Sequence, residues 1–230
     1  MRDGADQLID LQAIATIQRF LANDEGWDER ASRGWTATRR HTFETTCSEI
    51  IERSEWEDRI RAALLTDGTE FWRADAAAKI RGIDTFDIWF SQLEQDPTGN
   101  GWFRAWEQAD DFRAERLVTL ARTHLPLDEI GSGPDSAIGL GHEWAAHAAL
   151  DWTLQALRDH AGVGGDLVLV GLNSPVVRNR NMSLNALNQW QRDTWPTNAI
   201  TLIEGVAASD PNERTRALAA EVLPNASRES

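Results

Sequence analysis

The chain contains one cysteine (Cys47), one lysine (Lys79), two methionines and no tyrosine among 230 residues. A single thiol excludes an intramolecular disulfide and any zinc site built on several thiolates. Long apolar runs are missing too. Residues 167–170 form one of the longest, far short of the ~20 residues that cross a bilayer. The opening decapeptide, MRDGADQLID, places Asp3, Asp6 and Asp10 where a secretory leader would be basic and then apolar. These absences lead us to expect a cytoplasmic protein that does not enter the membrane. The sequons beginning at Asn181 and Asn225 are then accidents of sequence.

Positive charge is also scarce: 23 bases face 37 acids, for a net charge of -14. The deficit is uneven. Residues 175–230 hold six arginines and six carboxylates, so the excess of 31 acids over 17 bases lies in residues 1–174. A duplex or an anionic membrane would be repelled rather than drawn in by counterion release, which disfavours nucleic acid as a partner.

What is present is helical periodicity. Apolar residues recur at three and four along most of the chain, with no sustained alternation. The first helix is expected over residues 5–22, on the stripe Leu8, Leu11, Ile14, Ile17 and Leu21. Residues 23–41, with Trp27 and Trp35, read as a long connection. Thr46 with Glu49 and Ser54 with Glu57 match capping boxes. The second box opens a helix with Trp56, Ile60, Ala63 and Leu64 on one face. The next turns Phe71, Trp72, Ala76 and Ile80 inward and ends near Gly82. Asp84 opens another. Further helices cover residues 102–107, 112–124 and 142–160. The loop at residues 126–134 divides an N-terminal helical part, residues 1–130, from residues 135–230. The first part reads either as degenerate repeats or as a separate helical cap.

The C-terminal third repeats itself. SPVVRNRNMSLNAL from Ser174 aligns without gaps with DPNERTRALAAEVL from Asp210, 36 residues later. Ser174 and Asp210 read as N-caps, with Pro175 and Pro211 at the first helical position. Arg178 and Arg180 align with Arg214 and Arg216. Each segment follows a shorter apolar helix, so each unit is a helix, a tight turn and a helix at the period of an α-solenoid. Over residues 163–223 the pattern resembles HEAT repeats, and the chain is similar to bacterial proteins of that type. The resemblance implies an all-α fold, a right-handed stack of antiparallel helical hairpins. It also implies a ladder between turn acid and later arginine, with Asp210 and Arg216 in those places and Ser174 standing where an acid would precede Arg180. It brings no activity with it.

Few constellations point to chemistry. His142 and His147 are five apart, too far around a helix to share a metal ion. Glu143, His147 and Asp151 follow one another at four-residue steps. They read as a polar stripe opposite Trp144 and Trp152, or as a line of proton-handling groups. Glu107, Asp110 and Asp111 could coordinate a divalent ion but more simply complement a helix N-terminus. The glycines at 139, 141, 162, 164 and 165 lack the context of a phosphate loop and read as turns. No cofactor or metal is expected. Candidate binding residues are Arg178, Arg180, Arg214 and Arg216, which could line a groove, and Trp102, Trp106 and Trp190 as partly exposed anchors. The function expected is a non-catalytic module that binds a protein or peptide. The alternative is a HEAT-like DNA-alkylation-repair glycosylase, which needs a basic face this acidic chain lacks.

Overall fold

A computed structural model describes residues 36–225, apart from 53 and 67, together with residues 16 and 34. The helix expected over residues 5–22, and Trp27 and Trp35 of the connection, lie outside these. The described residues form twelve α-helices, two short 3-10 turns and no strand, with one isolated parallel bridge between Ala137 and Val176. None of these helices is long and apolar enough to cross a membrane. The fold is all-α.

The chain divides into two compact units, Met1–Thr85 and Phe86–Ser230. In the first, α1 spans Ala37–Ile51, α2 Glu55–Ala63 and α3 Thr69–Arg81. The connection expected up to residue 41 therefore ends early: Thr36 caps α1 by accepting the Arg39 N–H at 3.3 Å. Thr46 lies inside that helix and donates its hydroxyl to the Thr42 carbonyl, so its box with Glu49 does not form. Ser54 does precede α2, but its backbone is itself helical (φ -63°, ψ -30°) and its side chain makes no cap bond, while Glu57 is engaged by Arg61 at 2.8 Å. Helix α2 buries Trp56, Ile60 and Leu64 and packs on α3. The inward face of α3 differs from expectation. It carries Phe71, Ala74, Asp75, Ala77 and Ala78, while Trp72 is half exposed. Gly82 closes α3 in the left-handed conformation that glycine adopts without strain.

The second unit runs α4 (Phe86–Gln95), α5 (Trp102–Trp106), α6 (Asp111–His124), α7 (Leu127–Ile130), α8 (Ala145–Leu157), α9 (Gly165–Leu172), α10 (Val177–Gln189), α11 (Ala199–Ser209) and α12 (Glu213–Asn225). The loop at residues 126–134 lies within this unit and contains α7. Helix α4 packs on α5, and α5 and α6 meet α8. From there α8 touches α9 and α10, α9 touches α10 and α11, and α12 touches both α10 and α11. The core holds Trp89, Trp102, Leu117, Leu150, Leu154, Leu157, Leu167, Leu184 and Leu187, so most apolar periodicity is spent between helices.

Helices α8, α9 and α10 approach closely at Gly171, where an added Cβ would strike Ser183 Oγ and Leu154 Cδ1. Gly205, in α11, has nothing within 4 Å of the same position. Gly171→Val should therefore overpack the core and cost about 1–3 kcal/mol, lowering Tm by several degrees. Gly205→Ala should stabilise by about 0.5–1 kcal/mol through helix propensity. Thermal melts followed by circular dichroism check both. Equal effects at the two glycines would contradict this packing.

Candidate functional site

The geometry turns on the segments before α10 and α12. Ser174 and Asp210 are not N-caps. Each spends its side-chain acceptor on the backbone two residues ahead: Val176 N–H to Ser174 Oγ at 3.2 Å, Asn212 N–H to Asp210 Oδ1 at 2.8 Å. Such turns suit a proline at their second residue, and they displace the helix start by two positions. Val176 then occupies the cap of α10, and Asn212 Oδ1 accepts the Thr215 N–H at 3.1 Å.

The two arginines then act alike. Arg180 donates Nη1–H to the Ser174 carbonyl at 2.6 Å, and Arg216 donates Nη1–H to the Asp210 carbonyl at 2.6 Å. Arg180 goes further, donating Nε–H and Nη2–H to the two carboxylate oxygens of Asp210 at 2.6 and 2.9 Å. Both side chains are 0% exposed. The rung thus joins Arg180 to the following turn acid. Asp210 and Arg216, paired by the ladder analogy, meet only through a backbone carbonyl. Arg180 Nη2 also reaches the Asp135 carbonyl at 2.8 Å, and the Val177 N–H reaches Ala137 at 3.1 Å. These bonds pin residues 133–137 along the start of α10. Gly139 follows at φ +73°, with a Cβ there only 2.8 Å from Val176 Cγ1.

The four arginines do not line one groove. Arg180 is core, Arg216 half-buried, Arg214 exposed, and Arg178 lies 2.6 Å from Asp151 with its guanidinium over Trp152 at 5.7 Å. The tryptophans expected as partly exposed anchors are buried, and each indole N–H is satisfied. Trp102 donates to the Pro97 carbonyl, Trp106 to Thr153 Oγ1 and Trp190 to the Leu157 carbonyl. A flat, amphipathic ring with one donor fills a helix junction when that donor finds an acceptor, and all three do.

The polar stripe also changes character. Glu143 is exposed, His147 half-buried and Asp151 buried, so the three form neither an open stripe nor a proton line. Both ring nitrogens of His147, Asp151 Oδ1, Asn179 Oδ1 and Ser183 Oγ are buried without a hydrogen-bond partner among the described residues. They lie along the seam where α8 meets α10, tied by Asn179 Nδ2–H to the His147 carbonyl at 3.2 Å. Burial pushes the His147 imidazole below its usual 6.5, partly countered by the Glu129 carboxylate. Burial raises the Asp151 carboxyl, while the charge and hydrogen bond of Arg178 oppose it. Asp110 caps α6 by accepting the Arg113 N–H at 2.9 Å, the role expected of acids at that helix start. No group of three or more potential metal ligands among His, Cys, Asp and Glu is found among the described residues.

No family model, no curated protein and no solved structure matches the chain.

Sequence reasoning missed Asn179, Ser183 and the Asn181–Thr215 bond, in which Thr215 donates to Asn181 Oδ1 at 2.9 Å. Small polar residues on an amphipathic helix read as solvent-facing unless the neighbour's register is known.

Two predictions follow from this geometry. Arg180→Met alone strands a buried carboxylate and should cost about 3–5 kcal/mol, whereas Arg180→Met with Asp210→Leu should recover much of that loss. Urea titrations check this, and a double variant no more stable than the single one would contradict it. The second concerns pH. Because the folded protein resists protonating His147, the unfolded chain binds the proton first as pH falls through 6.5, and stability is lost from there downward. His147→Gln should flatten that limb of the stability profile. Asp151 acts oppositely, its penalty fading as pH falls through its raised folded value. An unchanged profile in the variant would exclude His147 as the source.

Proposed function

We propose that the chain is a HEAT-like helical-repeat scaffold that holds a protein or peptide partner. The observation that carries this reading is the rung: a buried arginine–aspartate pair links two helical pairs whose turns and arginines make the same backbone bonds 36 residues apart. Repeated units stacked in register present equivalent side chains in rows, and such rows are what repeat proteins use to grip extended partners. The row here is Arg178, Met182 and Asn185 on α10, followed by Arg214, Leu218 and Glu221 on α12, all exposed or half-buried. It combines charge, amide and a flexible thioether, the adaptable chemistry of a peptide-binding surface. Arg178 is steadied for such a role by a buried carboxylate and an indole. An arginine held in place loses less freedom on binding than one that swings.

The expected outcome is that the tagged protein retains a partner from its native lysate, and that Met182→Glu with Leu218→Glu releases it while circular dichroism is unchanged. Retention of nothing above background in several growth states would contradict the reading. So would retention that ignores both substitutions.

A further inference from the structure

In α10, Arg180, which bonds Asp210 before the next helix, shares its side of the helix at four- and seven-residue steps with Leu184 and Leu187, all fully buried. In α9, Val168 and Leu172 stand one turn apart and are also buried. Thirty-six residues later the same positions are Arg216, Ala220 and Leu223 on α12 and Glu204 and Ala208 on α11. Here Arg216 and Leu223 are half-buried, and Glu204, Ala208 and Ala220 are exposed. Ile200, one turn before Glu204, is 39% exposed and completes the edge.

Two features set this edge apart from a bare continuation of the stack. First, Arg216 repeats the carbonyl bond of Arg180, yet its Nε and Nη2, which in Arg180 take a carboxylate, have no partner among the described residues. Second, valine and leucine have given way to Glu204 and Ala220, so another apolar helical pair would find too little to bury. What remains is a small apolar patch, Ile200 and Leu223, beside one arginine in want of a carboxylate and one exposed carboxylate.

We infer that this edge docks a second copy of the chain about a two-fold axis, with Glu204 of each copy meeting Arg216 of the other. A two-fold interface must be self-complementary, and a patch carrying one open cation, one free anion and small residues between them satisfies that condition. Within a single chain the two charges sit on the same edge and leave the arginine's outer nitrogens unused. Across the axis each fills the place that Asp210 fills for Arg180. The helices involved are about 16 and 20 Å long, so the patch falls below the ~800 Å² per partner of tight complexes, and the dimer is concentration-dependent. This inference rests on the repeat reading, because the edge is defined by equivalence with α9 and α10.

Sedimentation velocity across rising protein concentration tests it on the full chain. The wild type should pass from monomer to dimer. Glu204→Arg, at an exposed position, should weaken the dimer at least about tenfold by setting arginine against arginine. Ala220→Glu should weaken it similarly by crowding the centre, and Glu204→Arg with Arg216→Glu should restore it. Arg216 also holds the turn at Asp210, so the two exposed-site variants carry the test if the charge swap does not fold. A wild type that stays monomeric throughout would overturn the inference, as would a dimer indifferent to both single variants. A monomer that still captures its partner through Met182 and Leu218 sinks the dimer and leaves the scaffold reading standing. A dimer that captures nothing does the reverse.

Discussion

The bond between Arg180 and Asp210 holds the C-terminal half of this molecule in register. A charged pair wholly removed from water is costly, since each ion gives up its hydration, and it persists only where every polar atom finds a partner. Here the guanidinium is met on all sides by the Asp210 carboxylate and the Ser174 and Asp135 carbonyls. Four segments distant in sequence therefore share one group: the stretch before α8, the turn before α10, α10 itself and the turn before α12. Apolar packing brings these helices together without fixing their register. The arginine fork, with its rigid bidentate geometry, does so.

That role explains why the turns are built as they are. Ser174 and Asp210 bend the backbone through their own side chains, and the bend aims a carbonyl at the arginine six residues on. In the second turn, Asp210 does three things at once: Oδ1 takes the Asn212 N–H, both oxygens take Arg180 and its carbonyl takes Arg216. Serine suffices in the first turn because the position thirty residues before it, where Arg180 stands for Asp210, is Trp144 and brings no guanidinium to neutralise. Arg216, by contrast, holds the Asp210 carbonyl and meets no carboxylate among the described residues.

Much of this was legible in the sequence, and the reasons for the failures are physical. The helices from α2 onward, apart from α7 inside the expected loop, follow from apolar spacing, and the 36-residue alignment picked out Ser174, Asp210, Arg180 and Arg216 as a set. The cap assignments failed because serine or aspartate before proline serves either as a cap or as a turn former, and only the backbone two residues on decides which. Trp102, Trp106 and Trp190 sat near helix ends and looked exposed, but the Pro97 and Leu157 carbonyls and the Thr153 hydroxyl that satisfy their indoles come from segments distant in sequence or beyond the helix itself. Asp151 looked like part of a solvent stripe because its four-residue spacing from His147 says nothing about α10 lying across it. Which of two equivalent arginines is buried depends on what packs against it, and no local pattern encodes that.

The rung makes α9 to α12 one cooperative body rather than two hairpins side by side. Native-state hydrogen exchange measures this directly, through the opening free energies of buried amides in α10 and α12. These amides should open together in the wild type, and Asp210→Ala should lower protection in α10 as much as in α12. Unchanged protection in α10, with α12 alone exchanging faster, would contradict it.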